Sequence, residues 1–305
     1  MDRESAPIAE ERPADAAQIT RVKLAPGLYV TATPIGNLGD VTLRALSVLA
    51  SADLVLCEDT RVTRRLLDRY GLRPKLLAYH EHNAASVRPR VMERLGAGES
   101  VTLVSDAGTP LVSDPGYKLV QAAIEAGHKI FPIPGASAAL AALIAAGLPT
   151  DRFFFEGFLP AKSGQRRTRI EEIAEIPATL ILYESGPRLA ASLKDLADGL
   201  GARDAAICRE MTKKFEEVRR GTLPDLAAHY DVVGEPKGEI VIAIAPPAAD
   251  LRTTSPEALV AKLAAALKKL SVKDAADLVV AETGMKRRAV YQRALMLAGS
   301  REKSK

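Results

Sequence analysis

Apolar runs rich in β-branched residues recur along the first half of the chain, at residues 27–32, 54–57, 76–79, 101–104 and 129–133. None alternates apolar with polar positions, so each reads as a strand buried on both faces. Between them, apolar positions fall at helical spacing over 41–49, 62–70 and 86–95, and again at Leu119, Val120, Ala123 and Ile124. Strands alternating with helices over short connections predict a parallel sheet covered on both faces. After Pro149 the texture changes. Strand-like runs at 153–160, 179–185, 205–213 and 239–245, with a helix over 187–200, predict a second α/β domain.

A Pro/Ala/Asp linker at 246–250 leads to three short helices. The first carries Leu259, Leu263, Leu267 and Leu270 on one face, and Ser271 to Asp274 has the form of a capping box before the second. The second ends at Thr283-Gly284, and the third, from Lys286, carries Arg287 and Arg288. This is the layout of a helix-turn-helix. Residues 1–22 mix Glu, Asp, Pro and Ala without a period and read as a disordered tail. The expected organisation is that tail, α/β domains over 23–149 and 150–247, and a helical domain over 255–300.

Three predicted strands end in small polar loops. They are Thr33-Pro34-Ile35-Gly36-Asn37-Leu38-Gly39-Asp40, Ser105-Asp106-Ala107-Gly108-Thr109-Pro110 and Pro134-Gly135-Ala136-Ser137-Ala138. In α/β sheets, ligands sit at the carboxyl ends of strands, where such loops let backbone N–H groups approach them. Gly108 has no side chain to block that approach, and Asp106 can accept hydrogen bonds from ammonium or hydroxyl groups. Plain turns use the same residue types. Two glycine loops at successive strand ends nevertheless favour one shared ligand. Asp114-Pro115 reads as an N-cap and first helical position. The first loop is neither G-x-x-x-x-G-K-[ST] nor a full G-x-G-x-x-G, which excludes a P-loop NTPase and an ordinary dinucleotide site.

Glu58, Asp59 and Arg61 end the second strand, as chemistry or as a local ion pair. His80 and His82 have a spacing that could hold a metal. With no third ligand at helical spacing and no cysteine nearby, a polar loop beside the substrate is the better reading, and no metal is expected. Lys162, Arg166, Arg167 and Arg169 around a Gly-Ser loop suggest a mobile lid or phosphate clamp, or simply an exposed basic loop.

At 305 residues the chain has room for two cores. Cys57 and Cys208 lie far apart in apolar runs and read as reduced core residues. The N-terminus has no apolar signal region, and the longest apolar stretch, 136–148, is too short to span a bilayer. A soluble, cytoplasmic protein with no membrane partner is expected. Residues 255–305 hold 11 Lys and Arg against 5 Asp and Glu, leaving 31 against 33 elsewhere. A basic terminal segment on a near-neutral body points to an anionic partner, nucleic acid first, with a solvated helix face as the plain alternative.

Taken in order, the motifs around Pro34, Glu58, His80, Asp106 and Pro134 resemble the tetrapyrrole-methylase superfamily. Within it they look like the ribosomal RNA small subunit methyltransferase I family. Phe158-Leu159-Pro160, Tyr183-Glu184-Ser185, Arg209-Glu210-Met211-Thr212-Lys213 and Gly238-Glu239-Ile240-Val241 extend the resemblance to about residue 245, with Met211 where Leu is expected. The terminal helices look like that family's appendage. The resemblance implies two α/β domains of tetrapyrrole-methylase type, with S-adenosylmethionine in the cleft between them. It also implies 2′-O-methylation of a cytidine ribose in 16S rRNA, at the decoding centre of the small ribosomal subunit, by a homodimer.

On the matching positions, Pro34, Gly36, Asp106, Ala107, Gly108, Thr109, Pro110, Pro134 and Ser137 are expected to line the cofactor pocket. Tyr183, Met211 and Gly238 join them from the second domain. In-line methyl transfer depends on positioning. A ribose hydroxyl is a weak nucleophile that benefits from a base, for which Glu58, Asp59 and His82 are candidates. Arg61, Lys162, Arg166, Arg167, Lys213, Arg287 and Arg288 are candidate RNA contacts. Two other readings stand beside this one. A corrin-type ring as substrate would leave the basic segments without a use. A non-catalytic RNA-binding module would leave the glycine loops without one.

Overall fold

The computed structural model describes residues 19–113, 116–247, 256–283 and 287–302. Most of the expected tail, the Asp114-Pro115 helix start, the end of the linker and the Gly284 turn lie outside the described residues.

The first domain runs β1 (Gly27–Thr31), α1 (Leu43–Ser51), β2 (Leu54–Cys57), α2 (Thr60–Arg69), β3 (Leu76–Ala78), α3 (Ala84–Gly96), β4 (Ser100–Val104), α4 (Tyr117–Glu125) and β5 (Ile130–Ile133). Its five strands are parallel, in the order β3-β2-β4-β1-β5. Helices α1 and α2 bring Leu46, Leu49, Leu66 and Leu67 to one face. Helices α3 and α4 bring Val91, Leu95, Leu119 and Ala123 to the other. With both faces covered, every residue of β2 and β4 is buried, which explains their unbroken apolar runs. Thr42 and Asp59 cap α1 and α2 by accepting from the backbone N–H groups of Ala45 and Arg61. Helix α4 begins at Tyr117, with Gly116 as its N-cap. From β1 the chain crosses β4 to reach β2, and from β4 it crosses β1 to reach β5. The helices after β1 and β4 leave for opposite faces of the sheet, which makes the carboxyl ends of these neighbouring strands a topological switch point.

The second half comprises α5 (Ala138–Ala146), β6 (Phe153–Phe158), α6 (Ser163–Ile173), β7 (Thr179–Ser185), α7 (Gly186–Leu200), β8 (Asp204–Arg209), β9 (Glu217–Thr222), α8 (Leu223–Val233) and β10 (Glu239–Ile244). Its strand order is β6-β7-β10-β8-β9, with only β6 and β7 parallel. Helices α6, α7 and α8 cover one face through Ile170, Leu189, Leu193 and Leu226. Helix α5 covers the other, setting Ala139, Ala142, Leu143 and Ala146 against Ile181, Ala206, Cys208 and Val241. Since α5 follows directly from β5, the first domain supplies the lid of the second domain's core. The basic segment expected as a mobile lid is instead the start of α6, anchored by buried Arg166 and Ile170.

Helices α9 (Pro256–Ala266), α10 (Val272–Thr283) and α11 (Arg287–Glu302) share a small core of Leu259, Leu263, Ala276, Val279, Val290 and Ala294. The Ser271 hydroxyl accepts from the Asp274 N–H at 3.2 Å and donates to its carboxylate at 2.7 Å. Because α9 ends at Ala266, Leu270 falls beyond its apolar stripe and is exposed. Among the described residues, no helix is long and apolar enough to cross a membrane.

Candidate active site

The glycine loops are tied together at the switch point. Thr33 and Gly108 exchange two backbone hydrogen bonds of 2.9 and 3.1 Å, joining the loops after β1 and β4. The Thr109 hydroxyl donates to the Ala136 carbonyl at 3.2 Å, joining the loop after β5. Gly108 has φ of +76°, and a Cβ there would meet Ile35 Cγ2 at 3.1 Å. Backbone conformation and close approach both demand glycine.

Three adjacent strand ends carry titratable groups: Glu58 after β2, His80 after β3 and Asp106 after β4. Asp106 Oδ1 accepts from the Asp59 N–H at 3.0 Å. No cation pairs with it among the described residues, and burial, helped by the Asp59 charge, pushes its pKa up. Glu58 is also raised, first by burial and then by the Asp106 charge, with His80 opposing.

Asp59 differs. Its bond to the Arg61 side chain, which closes to 2.6 Å, and its cap on α2 lower its pKa to about 2. It is committed to a cap and an ion pair and is a poor base. His82 is exposed, with its ring edge-on to His80 at 6.0 Å. His80 is therefore the histidine whose charge bears on Glu58, and its buried Nδ1 has no partner. Asn83 fixes this turn, accepting from the His80 N–H at 2.9 Å and donating to the Ala78 carbonyl at 3.0 Å. The alternating histidines could not indicate which of the two faces inward.

From the second domain, Met211 joins Ile35, Ala138, Cys208, Glu239 and Val241 around a narrow interdomain cavity. Glu210 and Thr212 flank it at φ of +51° and +67°, unfavourable values for side-chain-bearing residues, most of all for a β-branched threonine. Lys213 Nζ bridges Glu210 and Glu239 at 2.9 and 3.0 Å. Its stem lies so close to Gly36 that a Cβ there would overlap Lys213 Cγ and Cε. Lys213, expected to meet RNA, is held by two carboxylates of its own domain while its stem packs on the first glycine loop. Gly238 sits in the same way beneath the Glu210 side chain. Tyr183, paired with Val241 across β7 and β10, contacts Phe155 and Phe158 edge-on. Ser137 caps α5 by accepting from the Leu140 N–H.

The other expected RNA contacts divide. Arg166 is 4% exposed and bonded to Asp195 at 2.6 Å, so it is spent inside the domain. Asp195 also holds Arg167 at 2.7 Å and accepts from Ser163. Arg287 is held by Asp277 at 2.6 Å. Lys162 and Arg288 stand exposed.

A parallel sheet with glycine loops at its switch point, joined to a second mixed sheet, defines an α/β protein whose strand-end loops are of the kind that carry ligands. The chain belongs to the Tetrapyrrole (Corrin/Porphyrin) Methylases family, whose model matches residues 27–227. Residues 253–298 match the RsmI C-terminal HTH domain. A "Ribosomal RNA small subunit methyltransferase I" of Mesorhizobium japonicum is 54% identical over 275 residues, 90% of this chain and 93% of that protein. Its namesake in Pseudomonas aeruginosa is 46% identical over 280 residues, 89% and 98% of the two chains. Uroporphyrin-III C-methyl transferase from Thermus thermophilus, solved with S-adenyl homocysteine, superposes with a TM-score of 0.51 at 20% identity. That likeness covers 71% of this chain and 96% of that one, and shows the shared fold.

Membership of this methylase family makes S-adenosylmethionine the cofactor, and the site suits it. Asp106 is a part-buried carboxylate at a strand end, with no counter-charge among the described residues.

Proposed function

We propose that this protein transfers methyl groups to ribosomal RNA of the small subunit, at the 2′-oxygen of a cytidine ribose in the decoding centre of 16S rRNA, as a cytoplasmic homodimer. The observation that carries this reading is the reach of the likeness. It spans nine-tenths of this chain and of a relative named for small-subunit rRNA, and it includes the terminal helices. A corrin-type substrate would leave those helices unused.

When bound, S-adenosylmethionine supplies an activated methyl group. Asp106 supplies the negative charge for its cationic end. The Ser137 hydroxyl, which accepts from Leu140, keeps its own hydrogen for a carboxylate oxygen. Glu58 takes the proton from the attacking ribose hydroxyl, and its raised pKa makes it a better acceptor than Asp59. Lys162 and Arg288 remain available to phosphates. A second copy of the chain covers α5, which is apolar on all sides yet leaves Leu140 and Ile144 exposed at 51% and 77%.

The test is transfer of labelled methyl to unmodified small subunits, protein-free 16S rRNA and a porphyrinoid in parallel. Label on a cytidine 2′-oxygen is expected. Label on the porphyrinoid alone would overturn the substrate, and failure to bind cofactor would leave a non-catalytic module. Glu58→Gln should lower kcat by about 10²- to 10⁴-fold while cofactor affinity holds.

A further inference from the structure

Most cations that the sequence offers to phosphates are spent within the protein: Arg166 and Arg167 on Asp195, Lys213 between two glutamates, Arg287 on Asp277. Helix α2 is different. Its inner side buries Thr63, Leu66 and Leu67, and its outer side exposes Arg61, Arg64, Arg65 and Arg69. Arg61 is paired with Asp59. Arg64, Arg65 and Arg69 have no carboxylate partner among the described residues. The helix's one acid, Asp68, is taken by Arg73. Arg61, Arg65 and Arg69 stand four residues apart, a spacing at which like charges repel and weaken a helix. The row is also all arginine, whose planar fork matches phosphate oxygens better than lysine does.

Position adds a second argument. Helix α2 starts two residues after Glu58, at the carboxyl edge of the sheet, and runs on for about 15 Å. The Tyr70 hydroxyl at its end donates to the Leu38 carbonyl at 2.8 Å, tying it to the first glycine loop. The arginine row is thus fixed rigidly to the site. Acidic Glu58, Asp59 and Asp106 lie at its near end, so phosphates are attracted to the helix and kept off the carboxylates.

We infer that the exposed arginine row of α2 is a docking surface for an RNA backbone and delivers the target nucleotide to Glu58 at the carboxyl edge of the sheet. This rests on the reading of RNA as substrate.

The test compares the parent with R64Q/R65Q/R69Q and R64K/R65K/R69K. Binding to small subunits and to protein-free 16S rRNA is measured between about 50 and 200 mM salt. Cofactor affinity and thermal melting are followed as controls. The glutamine variant should bind both RNAs at least tenfold more weakly. Its slope of log affinity against log salt should shrink by about two, at roughly 0.7 per single-strand phosphate contact. The lysine variant should keep the slope. Cofactor affinity should stay at the parent's value in both, and melting should not fall in either. Unchanged slope and affinity, in a protein whose parent methylates subunits, would overturn the surface alone. Loss confined to assembled subunits would mean that the row meets a ribosomal protein, which also overturns it. A parent that labels no RNA would sink the functional reading itself, before any variant is made.

Discussion

Asp106→Asn separates the cofactor's charge from its shape. The amide oxygen can still accept from the Asp59 N–H, now held at 3.0 Å, so the strand-end turn survives. What disappears is one negative charge in a part-buried position, with no cation beside it among the described residues. A hydrogen bond to a charged group is worth about 1.5–3 kcal/mol, or roughly 10- to 150-fold in affinity. Stability should not obscure this result. Burial raises the Asp106 pKa, so its ionised form is disfavoured in the folded chain, and its contribution to stability is lost as pH rises through the raised value. At neutral pH the asparagine variant should be at least as stable as the parent. Cofactor binding needs the carboxylate, so the parent's affinity should fall as pH drops through the same value, while the variant's stays flat. Calorimetric titration with S-adenosylmethionine and S-adenosylhomocysteine reads both effects. The two ligands share an ammonium, and only the first carries a sulfonium. Equal losses would place Asp106 against the ammonium, and loss for S-adenosylmethionine alone would place it against the sulfonium. Affinities within twofold of the parent for both ligands would refute the assignment. Since Asp106 helps to raise Glu58, the acid limb of methyl transfer should also move to lower pH in the variant.

Asp195→Ala would strand Arg166 in the core, at a cost of about 3–5 kcal/mol, read as faster amide exchange in α6 and α7. The apolar pair R166M/D195L should recover most of that, and an alanine variant exchanging like the parent would show the ion pair to be dispensable. Gly36→Ala should push Lys213 from its two glutamates and weaken cofactor binding, with G36A/K213A recovering stability. Parent-like melting and affinity in Gly36→Ala would mean that the lysine stem yields freely. Ile144→Asp, on the outer face of α5, should give a monomer by sedimentation, and a persisting dimer would place the subunit contact elsewhere.

Much of this molecule is local and was legible along the chain. The buried runs of β2 and β4, the glycine loops after β1, β4 and β5 and the Ser271 cap depend on neighbours in sequence, because burial on two faces and turn conformation leave periodic and compositional marks. The loops that meet at the switch point could be named from their residues alone. Strand β9 could not: it is an edge strand with Arg219 and Arg220 exposed, so it carries no apolar signature. The antiparallel order of the second sheet depends on pairings between distant strands and has no local trace. Charge was the property the sequence conveyed least. Arg166 finds Asp195 29 residues away, on another helix, and Lys213 crosses from one domain to lie on Gly36 of the other. Whether a cation is spent or free is decided by distances through space, and a linear pattern does not carry them. Sequence alone therefore determined the fold class and the glycine loops at the strand ends. Tertiary structure decided which carboxylate is paired, which histidine approaches Glu58, and which arginines are left facing solvent.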